Sequence, residues 1–268
     1  MTLPDSLPHV LDRTVLIEAE PETVFRFFTD STRWAAWWGA GSTIDGRRGG
    51  RFLIRMPGGV EASGTVLDID PPRTLVLSYG YVSGKPIPPD ASRVTIRLVP
   101  EGDATRLHLA HAFADSAVRD EHVQGWRFQL SLFGNAVADE TNARSAEHVD
   151  AWFEAWSNSD TDARTATLGR IAAAHVRFRD RFSAIEGSDE LLAHLAAAQR
   201  FMPGMRMSRE SEVRHCQGMV LADWIARASD GTERGRGTNV FVFANGKIES
   251  VTGFWAAPTP RTGQGASS

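Results

Sequence analysis

The sequence predicts an α+β protein of two domains, each an antiparallel sheet combined with helices. Three observations carry this. The 268 residues are 42% apolar and 23% charged, the balance of a globular chain; a chain of this length has room for two cores. Alternating segments bounded by Gly and Pro turns fill residues 50–113 and lead into one long apolar stripe at helical spacing. After a polar stretch at 139–147, DETNARSAE, the order reverses, with helices first and strands last.

RTVLIEA at 13–19 reads as a strand. EPETVFRFFTD follows as a short helix: Pro21 suits a first turn, and Val24, Phe25 and Phe28 share a face. Three of the chain's eight tryptophans then crowd into WAAWW, where Trp34, Trp37 and Trp38 fall at i, i+3 and i+4, on one side of a helical turn. Strands are expected at 50–56, 62–70, 73–81, 92–100 and 105–113, separated by Gly58-Gly59, Pro71-Pro72, GKPIPPD and Glu101-Gly102-Asp103. A helix over 116–142 carries Val123, Trp126, Leu130, Phe133 and Val137 as one stripe that can cover the concave face of a curved sheet.

PETVFRFFTD, WAAWW, DGRRGGRF, ASGTVLDIDPPRTL, VTIRL, TRLHLAH and QGWRFQLSLFG occur in an order that resembles the SRPBCC superfamily, the START-like helix-grip fold. The branch it is most similar to is the domain named after the activator of the heat-shock-protein-90 ATPase, over residues 10–140. The resemblance implies a sheet wrapped around the long helix, with an apolar cavity between them. Trp34, Trp37, Trp38, Phe52, Tyr79, Phe113 and Trp126 are the candidate lining residues; the alternative is that the tryptophans are plain core. His108 and His111, three apart on a strand, point to opposite faces and cannot share a metal. For His111 a hydrogen-bonded place at a strand end is the simpler reading.

Beyond a linker at 141–147, a second domain is expected over 148–257, and a disordered Pro-, Gly- and Ser-rich tail over 258–268. HVDAWFEAWSNSD is a helix with Trp152, Phe153 and Trp156 on its buried side. A second helix is expected at 161–173, a strand over AHVRFRDRF, and a helix at 188–199 opened by Ser188 with Asp189 and Glu190 in its first turn. MRMSRESEVRHC, MVLADWIARAS, GRGTNVFVFA and GKIESVTGFW close the domain as strands, the last two joined by Asn245-Gly246, a strong two-residue hairpin signal.

AWFEAWSNSD, HVRFRDRF, EGSDELLAHL and NVFVFANGKIESVTGFW resemble the SnoaL-like group of the cone-shaped fold shared by nuclear transport factor 2 and ketosteroid isomerase. Alternation in VRFRDRF places Val176, Phe178, Asp180 and Phe182 on the inner face and Arg177, Arg179 and Arg181 on the outer one. A carboxylate among aromatic rings is the environment in which a general base or acid is tuned. The resemblance adds that Asp180 matches the isomerases' base, and Asn239 the place of their oxyanion-binding acid; an amide can also donate there. Trp152 stands where those enzymes place a key Tyr, and SVTGFW has no acid where the fold's epoxide hydrolases need one. The competing reading of Asp180 is a strand-end carboxylate paired with an Arg or a backbone N–H. Trp156, Trp224, Phe241 and Trp255 complete the candidate ligand-binding set.

A formal net charge of −4 gives no footprint for nucleic acid, and no apolar run is long enough to span a membrane. Cys216 is alone, so no internal disulfide can form, and the first residues lack a basic-then-apolar secretory pattern; a cytoplasmic location is expected. No metal-type spacing or phosphate-loop context occurs, so no metal or cofactor is expected. Three functions fit. The first is binding of small hydrophobic or aromatic molecules in apolar cavities. The second is general acid/base chemistry in the C-terminal pocket, of isomerase, dehydratase or cyclase type, on a polyketide- or terpenoid-like compound. The third is a co-chaperone-like protein-interaction module. The cone-fold resemblance also implies a homodimer through the C-terminal domain.

Overall fold

A computed structural model describes residues 6–256. The expected tail at 258–268 lies outside the described residues. The chain divides into two compact units, Met1–Thr141 and Asn142–Ser268.

In the first unit, β1 (His9–Ile17) leads into two short helices, α1 (Pro21–Arg26) and α2 (Ser31–Trp38). Asp30 caps α2 by accepting from the Arg33 N–H. Six strands follow: β2 (Thr43–Ile44), β3 (Arg51–Arg55), β4 (Glu61–Asp70), β5 (Thr74–Tyr81), β6 (Ser92–Glu101) and β7 (Ala104–Phe113). They form one antiparallel sheet in the order β1-β7-β6-β5-β4-β3-β2. The long helix α3 (Ser116–Thr141) packs on β1 and β7. Its Trp126, Leu130, Phe133 and Val137 join the inner residues of the strands in one core. Phe133 is the keystone of that core: its ring stacks on Phe28 at 4.8 Å and meets Trp37 and Phe27 edge-on. The two-residue β2 carried no sequence signal, and β1 begins four residues before the expected start.

The second unit opens with α4 (Ser145–Ser157) and α5 (Thr161–Ile171). Helix α4 takes in the last residues of the expected linker, because Glu147 supplies an acid to its first turn and pairs with Arg144. Then come β8 (Ala172–Arg179), β9 (Ala184–Glu186), α6 (Ser188–Phe201), β10 (Arg206–Arg209), β11 (Arg214–Cys216), β12 (Met219–Arg227), β13 (Glu233–Ala244) and β14 (Lys247–Trp255). The sheet runs β10-β12-β13-β14-β8-β9, with β11 also on β12. Every pair is antiparallel except β14 with β8. At the hairpin joining β13 to β14, Asn245 and Gly246 take φ of 47° and 73°, as a type I′ turn requires.

Three expectations are corrected here. The strand expected over 174–182 stops at Arg179, because Asp180 Oδ1 accepts the Phe182 N–H (2.8 Å) and turns the chain back into β9. Phe182 is therefore 71% exposed, though its ring still meets Trp255 edge-on at 5.4 Å on the inner side of the sheet. Helix α6 has Gly187 at its N-cap position (φ 87°), while the Ser188 hydroxyl donates to the Ala174 carbonyl (3.2 Å) instead of capping. The strand expected over 205–216 is two strands, β10 and β11, since residues 211–213 leave the ladder after Glu210 N–H makes a last bond to the Asp223 carbonyl.

Truncating Phe133 to Ala should destabilise the first unit by about 3–5 kcal/mol, the usual range for an aromatic deleted from a packed core. Urea unfolding of the whole chain would measure it; a loss under about 1 kcal/mol would contradict the packing described.

Candidate functional site

Each unit has a half-open cavity walled by aromatic rings. The first is about 510 Å³. Of the rings expected there, Trp38, Tyr79 and Trp126 line it. Trp34, Trp37, Phe52 and Phe113 do not; they are core. Trp34 donates its indole N–H to the Leu53 carbonyl and Trp37 to that of Phe27, both at 3.3 Å, which turns these rings inward. Phe52 packs on Trp34, and Phe113 lies 3.9 Å from the His111 ring. Helical spacing did put three tryptophans on one buried face. Only the last of them, at the C-terminal end of α2, reaches the open space.

Two histidines organise this cavity's wall. Trp126 Nε1–H donates to His111 Nδ1 (2.9 Å), so His111 carries its proton on Nε2 and gives it to Ser92 Oγ (2.8 Å). Ser92 passes its own proton to the Tyr79 carbonyl (2.9 Å). His122 has the opposite tautomer: Nδ1–H donates to the Val118 carbonyl (2.7 Å), and Nε2 accepts from Tyr81 OH (3.1 Å). Burial pushes both imidazoles below the usual value, His111 strongly, and it pushes the Tyr79 phenol well up. His122 and Tyr81 line the cavity and were missed in the sequence. The available signal was that His122 sits four residues before Trp126, on the apolar stripe of α3.

The second cavity is about 530 Å³. Trp156, Phe178, Trp224 and Trp255 line it, together with Asp180 and Asn239. Trp152 and Phe241 do not. Each is at most 1% exposed, and their rings meet edge-on at 6.0 Å in the core. Trp255 comes from β14 and is 37% exposed. It lies across Gly235, where an added Cβ would stand 2.7 Å from the indole ring. From there its Nε1–H donates to Asp180 Oδ2 at 3.2 Å. Asp180 thus accepts one bond on each oxygen, from Phe182 N–H and from Trp255, and among the described residues no Arg pairs with it.

Asn239, on β13, is 4% exposed. Gly253 separates it from Asp180. A Cβ placed on Gly253 would lie 3.1 Å from Asn239 Oδ1 and 3.3 Å from Asp180 Cβ. The bare backbone leaves Asn239 Oδ1 and the Asp180 Cβ flanking one small space, and both residues line the cavity. The sequence reading missed His194, Ser183, Gly253 and the methionines Met202, Met205 and Met207, all of which line the cavity. His194 was findable: Leu191, Leu195 and Ala198 mark the buried face of α6, and position 194 falls on it. Burial pushes the His194 imidazole below its usual value, and the Asp180 charge opposes that shift. Among the described residues no group of three or more His, Cys, Asp or Glu side chains gathers to hold a metal ion. Among the described residues no helix is long and apolar enough to cross a membrane.

Comparison with known proteins follows the same division. Residues 18–137 match the family model of the Activator of Hsp90 ATPase homolog 1-like protein, and residues 149–251 match that of the SnoaL-like domain. No curated protein matches the chain. Among solved structures, CalU16 from Micromonospora echinospora is 32% identical over 53% of this chain and 85% of its own, with a TM-score of 0.41. A protein of the SnoaL-like family from Agrobacterium tumefaciens strain C58 is 23% identical over 43% of this chain and 99% of its own, with a TM-score of 0.41. The Aha1 dimer from Colwellia psychrerythraea is similar at 18% identity over 46% of this chain and 92% of its own, with a TM-score of 0.39.

The neutral histidines make the first unit acid-sensitive. An unfolded chain protonates its imidazoles near pH 6.5, the folded unit only lower. Below pH 6.5 the unfolded state therefore binds more protons, and stability falls as pH drops. Each imidazole contributes up to about 1.4 kcal/mol per pH unit to that slope. In urea unfolding between pH 6.5 and 5.5, His111→Gln should lose stability less steeply than the wild type; equal slopes would refute the neutral assignment.

Proposed function

Because the chain joins a domain of the Activator of Hsp90 ATPase homolog 1-like family to a SnoaL-like domain, we propose that it is a cytoplasmic protein binding small hydrophobic or aromatic molecules, one cavity per domain. The observation that carries this reading is the C-terminal cavity. Its volume of about 530 Å³ suits a small molecule, its walls are indole, phenyl and thioether, and its few polar groups are Asp180, Ser183, His194, Arg234 and Asn239. The N-terminal cavity repeats the pattern, with Trp38, Tyr79 and Trp126 as walls and the Tyr81–His122 pair as a polar contact. A protein-interaction module would need a broad exposed apolar patch in place of such cavities. A homodimer through the outer face of the C-terminal sheet, where Met219, Val242 and Phe254 are exposed, completes the reading.

A second reading is general acid/base chemistry in the C-terminal cavity, on a polyketide- or terpenoid-like compound. It is favoured by the space beside Gly253. There Asp180 can take a proton from a substrate carbon; the Asn239 atom facing the space is Oδ1, so donation to the oxygen that gains charge requires the amide to turn its Nδ2–H₂ inward.

Calorimetric titration with 2-naphthol and β-ionone tests the binding reading. Saturable binding is expected in the whole chain. Gly125→Leu, which projects into open space at the first cavity, should remove one component, and Ala197→Phe, on the wall of the second, should remove the other. Lack of saturation in the unmodified chain would end this reading. For the second reading, ring opening of 5-nitrobenzisoxazole reports a base in an apolar pocket; Asp180→Asn should slow it about 10²-fold or more. An unchanged rate would remove Asp180 from the chemistry.

A further inference from the structure

The turn that ends β8 sets Ser183 opposite Asp180. Asp180 and Ser183 close a two-residue loop, the Asp180 N–H donating to the Ser183 carbonyl at 3.0 Å. Opposed residues of an antiparallel pair project to one face, and here both line the C-terminal cavity. Helix α6 brings the third group to that face: His194 Nε2 lies 3.3 Å from Ser183 Oγ. The imidazole is held by rings on two sides, with centroids at 5.5 Å to Trp156 and 6.0 Å to Phe178. The same burial keeps it below its usual basicity, so at neutral pH it is an unprotonated base.

A hydroxyl within reach of a neutral imidazole, with a carboxylate nearby, is the arrangement that activates a serine. Asn239 lines the same cavity with its Oδ1 toward Gly253, and its amide, turned to present Nδ2–H₂, is the donor available to charge that forms on a carbonyl oxygen. The carboxylate stands off from the imidazole: its two oxygens are taken by Phe182 N–H and Trp255 Nε1–H. It therefore acts on His194 by its charge and not as the hydrogen-bonded third member of a triad. None of this is needed for binding, and proton transfer by Asp180 does not use Ser183 at all.

We propose that Ser183 is a nucleophile activated by His194, and that the C-terminal cavity cleaves carboxylic esters of small apolar acids and alcohols. Ser183 Oγ attacks the ester carbonyl carbon while its proton passes to His194 Nε2, and the carbonyl π pair moves onto oxygen, facing the Asn239 amide. The intermediate collapses by breaking the bond to the alkoxy oxygen, which leaves as the alcohol with the proton from His194. Water then attacks the acyl-serine, His194 takes its proton, and the acid departs as Ser183 recovers its own. Ester and water enter; acid and alcohol leave. The Asp180 charge stabilises the imidazolium formed in each half.

The inference rests on the proposed binding cavity but can fail separately from it. The whole chain would be given 4-nitrophenyl butyrate, and separately diethyl 4-nitrophenyl phosphate, which phosphorylates activated serines. Turnover should fall about 10²-fold or more in both Ser183→Ala and His194→Gln, with far-ultraviolet circular dichroism showing each variant folded. Peptide mass mapping should find one diethylphosphoryl group, on Ser183. Undiminished turnover in folded Ser183→Ala, or an adduct elsewhere, would overturn the proposal. Saturable 2-naphthol binding by a wild-type chain that neither turns over the ester nor is labelled would overturn it too, while leaving the binding reading intact. Labelling of Ser183 without naphthol binding would support the nucleophile and remove the binding reading.

Discussion

The C-terminal cavity depends on two places where a strand carries no Cβ. At Gly235 the bare backbone lets the Trp255 indole lie flat across β13, and only from that position can its N–H reach Asp180. At Gly253 the missing side chain leaves a gap between Asn239 and Asp180. A methyl group would press on the Trp255 ring at Gly235, and on the Asn239 amide oxygen and the Asp180 Cβ at Gly253. Sheet interiors normally fill such space with branched side chains. Here the strands leave it open, and the rings that border it are braced by one another, Trp255 against Trp224 at 5.0 Å and against Phe182 at 5.4 Å.

The first unit solves a different problem. Indoles crowded on one face need acceptors for their N–H groups, since a buried donor without a partner costs about 1–3 kcal/mol. Backbone carbonyls serve Trp34 and Trp37 and a histidine serves Trp126, while the buried N–H of Trp38, the ring that borders the cavity, has no partner. That last choice fixes the tautomer of His111 and, through Ser92, ties β7 to β6 and β5. One hydrogen-bonded chain thus sets the spacing of three strands and the wall of the cavity.

Much of this was legible in the sequence because periodicity reports faces. The stripe of α3, the alternation in β6 and β7, and the Asn245-Gly246 turn all appear in the structure as read. Alternation also drew attention to Asp180 beside Phe178. It could not show where the strand ends, because Asp180 itself ends it, by bonding a backbone N–H two residues on. Nor could it separate rings that border space from rings that fill it. Trp38 and Trp34 have the same residue type on the same helix face, and their difference is made by what stands opposite. His194 and Ser183 escaped because the elements carrying them, α6 and the β8–β9 turn, meet only in three dimensions.

The pairing of β14 with β8 has a consequence for when the second unit can exist. These strands are parallel, and α6 and five strands of the same sheet lie between them in the chain. During synthesis the first unit has all its strands and its long helix once Thr141 has emerged, so it can fold while the rest is being made. The second cannot do so in stages. Its central contact waits for the last strand, and so does Trp255, which completes the environment of Asp180. Until about 110 further residues have left the ribosome, β8 has only the short β9 on one side and its other edge stays open. The three arginines at 177, 179 and 181, all exposed in the folded unit, give that waiting strand a charged flank that discourages it from pairing with another chain.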